Sequence, residues 1–182
     1  MKIFVSLLFG LLFFTLADES VFAQHKKLTI ILLRHAEKDV SENADSANPE
    51  LSTEGKLRAQ KLAEIISKFH PDAIFSTNLI RTRTTARPLA SEEGRMISIY
   101  DPRSLDQFAE FLTSGKLKKI VVVGHSNTTP ALVNLLVKQD KYKSLDESVY
   151  NKIWVIKIRR KKTKPYKVID KIIEYEDFSK KN

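Results

Sequence analysis

Two apolar, β-branched runs in this chain each stop at a histidine. Leu28-Thr29-Ile30-Ile31-Leu32-Leu33 leads into Arg34-His35, and Ile120-Val121-Val122-Val123 leads through Gly124 into His125. Runs of this length and composition read as buried strands. In an open α/β sheet, parallel strands deliver the residues that follow them to one edge, and ligands bind at that edge. Two of the chain's four histidines are therefore expected to meet in space. The other two, His25 and His70, sit near the amino terminus and before Pro71, and neither is assigned a role.

Between and after these strands, the pattern alternates. Residues 39–50 are polar, end near Asn48-Pro49 and read as a surface loop. Ser52 or Thr53 is placed to cap a helix. Leu57, Leu62, Ile65, Ile66 and Phe69 then recur at helical spacing, with Lys56, Arg58, Lys61, Glu64 and Lys68 on the opposite face, until Pro71 stops the helix. Residues 72–76 form a second strand and 79–93 a second helix, ended by Gly94. Residues 96–100 form a third strand. Ser104 opens a third helix with Leu105, Phe108, Phe111 and Leu112 on its apolar face, closed by Gly115. After the strand at 119–124 comes a fourth helix, 130–137, with Pro130 in its first turn. Residues 149–159 and 166–175 alternate apolar and polar side chains around the basic stretch 160–165, which reads as an antiparallel hairpin. The tail, 177–182, is expected to fray. The expected fold is a single three-layer α/β domain: a mostly parallel central sheet, helices on both faces and a C-terminal antiparallel hairpin at the edge.

Hydrophobic residues make up 42% of the chain, enough for an ordinary core, and the formal net charge of +9 favours anionic partners. With no cysteine, thiolate nucleophiles, thiolate metal sites and disulfides are excluded. A basic start at Lys2, an apolar stretch over 3–16 and Val21-Phe22-Ala23 read as a signal peptide cut after Ala23, leaving 24–182 as the domain. The expectation is an exported protein, periplasmic or extracellular, which touches a membrane only if the leader stays uncut. ATP is scarce there, so hydrolysis is favoured over kinase chemistry. The basic hairpin tip reads as a solvated turn that blocks edge pairing, and no nucleic-acid partner is expected.

Arg34 beside His35 offers a planar fork suited to bidentate capture of phosphate. Arg81, at the start of the second helix, adds a guanidinium where backbone N–H groups and the helix dipole also favour an anion. Two histidines and two arginines converging on one anion point to His35 as a nucleophile toward phosphate.

The same residues resemble the histidine phosphatase superfamily, the fold of the phosphoglycerate mutases and many acid phosphatases. Leu33-Arg34-His35-Ala36-Glu37 is similar to its Leu-Arg-His-Gly-Glu signature, with alanine in place of glycine. Leu51-Ser52-Thr53-Glu54-Gly55, residues 76–86 and Val123-Gly124-His125-Ser126-Asn127-Thr128 resemble its three later motifs, in the same order. The resemblance implies a catalytic set of His35, Arg34, Arg81 and His125. His35 takes the phosphoryl group, and Arg34, Arg81 and His125 bind its oxygens. Water then hydrolyses the phosphohistidine, with no metal and no cofactor. The partner is a small phosphorylated substrate or a phosphoprotein.

The proton donor to the leaving group is less well marked. The family's Glu-x-x-x-Gly context after the third strand is missing. Asp101, at the exit of that strand, is the expected acid, and Glu37 is its rival as a substrate-facing carboxylate. If neither acts, the substrate needs a good leaving group, such as a phosphohistidine, an acyl phosphate or a pyrophosphate. Two other readings compete. One is a non-catalytic module that binds phosphate or a phosphorylated ligand. The other is a serine hydrolase using Ser126, whose surroundings nearly fit a Gly-x-Ser-x-Gly elbow.

Overall fold

The computed structural model describes residues 27–161 and 164–174. The leader, His25, part of the hairpin tip and the tail lie outside the described residues. Six strands form one sheet: β1 (Lys27–Arg34), β2 (Ala73–Ser76), β3 (Ile97–Ile99), β4 (Lys119–Gly124), β5 (Lys152–Lys161) and β6 (Lys164–Glu174). They lie in the order β3-β2-β4-β1-β5-β6. The first four are parallel. β5 runs antiparallel to β1, and β6 antiparallel to β5. This is the expected α/β sheet with its hairpin at one edge.

The helices are α1 (Thr53–Ile66), α2 (Ile80–Glu92), α3 (Leu105–Thr113) and α4 (Thr128–Val137). A right-handed crossover fixes which face each helix covers. The chain steps outward from β1 to β2 to β3, so α1 and α2 share a face and pack together; it then steps back through β4 to β5, so α3 and α4 share the other. Side chains of β1 alternate between the two layers as the pleat requires. Leu28, Ile30 and Leu32 join Phe108, Leu112, Leu132 and Leu136, while Ile31 and Leu33 join Leu62, Ile66, Ala86 and Leu89.

Helix ends follow local chemistry. Ser52 Oγ accepts from the Gly55 N–H at 3.1 Å, which makes Ser52 the cap of α1. α2 has no capping side chain of its own; Asn48 Oδ1, from the polar loop, accepts from the Ile80 N–H at 2.9 Å. Ser104 stands at the start of α3 without a side-chain capping bond. α4 begins at Thr128 rather than at Pro130, because Asn127 holds the Thr128 N–H and extends the first turn backwards.

The face expected for α1 is turned. Leu57 is 61% exposed and Arg58 is buried. The α-helix proper stops at Ile66, and a short 3-10 turn, Ser67–Phe69, carries the rest. Burying Arg58 costs little because Glu37 receives it, as described below. A leucine left in water forgoes only its transfer energy, whereas a buried carboxylate without a partner is far more costly.

Candidate active site

The register of the sheet brings the two histidines together. Arg34 lies opposite Gly124, and the His35 N–H donates to the Gly124 carbonyl at 2.9 Å. The imidazoles follow at the carboxyl edge, with ring centroids 5.5 Å apart and planes at 66°. β2 ends level with them, Ser76 opposite Val123, so Thr77 and the start of α2 face the same point.

His35 is buried. Its Nδ1 lies 2.7 Å from the Ala36 carbonyl oxygen. A carbonyl only accepts, so Nδ1 carries the proton and Nε2 keeps a free lone pair. The Ala36 N–H is in turn held by Thr85 Oγ1 at 3.0 Å. Burial pushes the His35 pKa down to about 3. The positive charges of Arg34 and Arg81 and the neighbouring His125 act in the same direction, against the opposing pull of the Ala36 carbonyl. His125 is lowered to about 4 by burial and by Arg81 and Arg34. Both rings are therefore neutral near pH 7, so the free site holds His125 as a neutral imidazole rather than a third cation.

Arg34 is almost fully buried, and one of its prongs is already committed. NH1 donates to the carbonyls of Asp146 and Glu147 at 3.0 Å and of Val149 at 3.1 Å. NH2 meets Glu147 Oε2 at 2.7 Å, and the guanidinium carbon lies 4.1 Å over the Tyr150 ring. Nε is buried with no partner. The edge left for an anion is Nε with a shared NH2, not the whole fork. Arg81 Nε is also buried and unpartnered, and burial together with the nearby Arg34 charge lowers the Arg81 pKa. Buried donors are nearly always satisfied in folded proteins. Two orphaned guanidinium N–H groups lie near enough to the two imidazoles for their charges to act on both rings, an arrangement suited to an anion.

The family model described as histidine phosphatase superfamily (branch 1) matches residues 30–110, which include Arg34, His35 and Arg81. Over that stretch the chain is similar to the histidine phosphatase superfamily. A curated relative, phosphoserine phosphatase 1 of Hydrogenobacter thermophilus, is 38% identical over 80 residues. That match covers 38% of this chain and 38% of the relative's length. Two solved structures share the fold. Mycobacterial glucosyl-3-phosphoglycerate phosphatase superposes with a TM-score of 0.60 at 18% identity, covering 72% of this chain and 91% of that one. The protein histidine phosphatase SixA complexed with tungstate gives 0.59 at 11% identity, covering 81% and 97%. His125 lies beyond the span of the family model; the pairing of β1 with β4 is what brings it to His35.

Both candidate carboxylates are engaged by arginines. Asp101 is taken by its neighbour two residues on: Arg103 Nε donates to Oδ1 and NH2 to Oδ2, both at 3.0 Å, and the Arg103 N–H adds a further bond. These bonds hold Asp101 below the usual carboxylate range, so it is ionised near neutral pH. Glu37, the other candidate, is paired with Arg58. Nε of Arg58 reaches both carboxylate oxygens at 2.8 Å and NH2 reaches Oε1 at 2.5 Å. The Glu37 backbone is gripped as well: its carbonyl accepts from the Ser52 N–H, and a Cβ on Gly55 would come within 2.1 Å of that oxygen. Glu37 anchors the loop to α1. Ser126 Oγ donates to Glu147 Oε1 at 3.0 Å, and among the described residues it has no histidine partner of the kind a serine hydrolase uses.

Glu147 is the carboxylate that sequence reasoning missed. It bridges Arg34 and Ser126 across the mouth of the site, and its own bonds and the Arg34 charge hold its pKa low. It follows Asp146 in a loop with no periodicity or motif spacing, so nothing local marks it. Its carboxylate occupies the NH2 that a phosphoryl oxygen would use. Glu147→Gln is expected to tighten binding of inorganic phosphate about 2–5-fold, the scale of an exposed ion pair, as read by calorimetry. Weaker binding would show that Glu147 assists the anion rather than competing with it.

Beside His125 opens a cleft of about 460 Å³, walled by Leu79, Ile99, Tyr100 and Pro102 with Asn78 and the Asp101–Arg103 pair at its rim. A larger hollow of about 690 Å³ between α3 and α4 contains neither histidine. Among the described residues, no group of histidine and carboxylate side chains is arranged to hold a metal ion.

Proposed function

We propose that this protein is a phosphatase that works through a phosphohistidine on His35 and needs no metal. The observation that carries the reading is the neutral His35 ring, its Nε2 lone pair free, set beside two unpartnered arginine N–H groups. Nε2 attacks phosphorus, and the bond to the leaving group breaks. Negative charge on the phosphoryl oxygens is met by Arg34 through Nε and by Arg81, preorganised in a water-poor site. His125 faces the same oxygens. Water then attacks the phosphohistidine, releasing phosphate and restoring His35.

No free carboxyl group stands ready to protonate the leaving group, since Arg103 engages Asp101 and Arg58 engages Glu37. The substrate is accordingly one whose leaving group departs without help: a phosphoramidate such as phosphohistidine, an acyl phosphate, a pyrophosphate or an aryl phosphate. The relative named as a protein histidine phosphatase supports this choice. The apolar-walled cleft beside His125 suits a small phosphorylated molecule or a phosphorylated side chain of a protein.

The test is a leaving-group series of para-nitrophenyl phosphate, phosphohistidine and an alkyl phosphate. Positioned acids contribute about 10²–10⁴-fold, so the alkyl ester is expected to be slower by at least about 100-fold. Comparable kcat/KM on all three would show that an acid operates after all. The captured carboxylates also fit a second reading, a module that binds phosphate without turnover. Tight phosphate binding with no hydrolysis of any of the three would select it.

A further inference from the structure

The His125 ring has one hydrogen-bonded side-chain partner among the described residues: Thr77 Oγ1, 3.0 Å from Nε2. Thr77 is in turn 2.9 Å from Thr82 Oγ1, and Thr82 Oγ1 lies 3.0 Å from the Thr77 carbonyl and 2.9 Å from the Leu79 carbonyl. Both threonines are buried, so water does not supply missing protons. The chain has only two hydroxyl protons to distribute. If Thr82 shares its one proton between the two carbonyls and Thr77 donates to Thr82, Thr77 accepts from an Nε2–H, and no contact sets two lone pairs against each other without a proton nearby. In the reverse order Thr82 donates to Thr77 and Thr77 to Nε2. Thr82 Oγ1 then faces two carbonyl oxygens at 2.9 and 3.0 Å with no proton between them, a repulsive arrangement in a dry site.

We propose that Thr77, backed by Thr82, is a positioning residue that fixes His125 as its Nε2–H tautomer and leaves Nδ1 as the bare nitrogen offered to the phosphoryl group. The placing of His125 against the phosphoryl group rests on the function proposed above; the tautomer does not. The two imidazoles are then set in opposite senses. His35 has its proton on Nδ1 and a lone pair at Nε2 for attack, while His125 has its proton on Nε2 and a lone pair at Nδ1. A neutral His125 of this kind accepts from a phosphoryl oxygen instead of donating to it. The bound group therefore shares a proton with Nδ1: it binds as the monoanion or, equivalently, the dianion takes up a proton on binding. The charged and titratable groups around the ring are His35 and Arg34 at the end of β1, Arg81 on α2, Tyr100 and Asp101 after β3, and Glu147 through Ser126. None of them makes a hydrogen bond to the ring.

Long-range ¹⁵N–¹H spectra of the full chain, labelled at histidine, read the tautomer directly, with His125→Gln identifying the signals. Wild type is expected to show His125 protonated at Nε2 and bare at Nδ1. Thr77→Val keeps the shape and removes the hydroxyl, and should move the proton to Nδ1 in part or in full; Thr77→Ser should restore Nε2–H. Calorimetry of inorganic phosphate binding at pH 8, in buffers of differing ionisation heat, should show about one proton taken up per phosphate, with the uptake reduced in Thr77→Val. A wild-type His125 protonated at Nδ1, or a tautomer unchanged in Thr77→Val, overturns the proposal. Should Thr77→Val fail to fold, the wild-type spectrum decides alone. A protein that hydrolyses nothing would defeat the phosphatase reading yet leave the spectra meaningful, so the two failures are separable.

Discussion

Replacing His35 with alanine is expected to abolish turnover on every phosphorylated substrate, lowering kcat by at least about 10⁴-fold, the scale seen when a covalent nucleophile is removed. Phosphate binding should survive within a few-fold, because Arg34 and Arg81 keep their orphaned N–H groups when the imidazole is gone. The separation matters: loss of kcat with retained binding assigns His35 to bond-making, whereas loss of both would assign it to holding the anion. Rapid acid-free denaturation after mixing with labelled substrate should trap label on wild type and none on His35→Ala. The wild-type nucleophile should also tolerate mild acid. An ordinary histidine protonates near 6.5, but burial and the nearby arginines push His35 to about 3, so acidification from pH 7 to about 5 leaves its lone pair available. Turnover persisting in His35→Ala would refute the mechanism.

The second large effect concerns stability. Arg58→Ala removes the guanidinium that satisfies Glu37, leaving a largely buried carboxylate alone. Breaking one side of such a pair costs about 3–5 kcal/mol, to be read as a fall in the urea midpoint at unchanged slope. Replacing both partners, Glu37→Met with Arg58→Leu, should recover most of that loss, since apolar side chains of similar volume often match a buried ion pair. The double variant also decides what Glu37 does. If Glu37 is an anchor, the stable double variant hydrolyses para-nitrophenyl phosphate within a few-fold of wild type. A folded double variant that has lost activity would return Glu37 to the substrate.

Much of the architecture was written locally. Leu28, Ile30 and Leu32 alternate with Ile31 and Leu33, and apolar residues recur along α3 and α4 at helical spacing, because a strand and a helix each bury one periodic face. From that order the right-handed crossover leaves few topologies, and a parallel β1–β4 pair in register must carry His35 and His125 to one edge. Asn48 holding the start of α2, and the inward turn of Arg58 in place of Leu57, were not legible, since each depends on a residue far along the chain.

The same division runs through the site. The sequence alone determined which of these residues share an edge of the sheet: His35, Arg34, Arg81 and His125 each follow a strand or open a helix, and their positions are set by the elements that carry them. Only the tertiary structure decided which charges remain free on arrival. Arg103 captures Asp101, Arg58 captures Glu37, and Glu147, more than a hundred residues away, captures part of Arg34. Hydrophobic burial is periodic along the chain and so can be read from it. Pairing of charges and hydrogen bonds is a contest between groups that meet only after folding, and its outcome depends on angstrom-scale distances that no spacing in the sequence encodes.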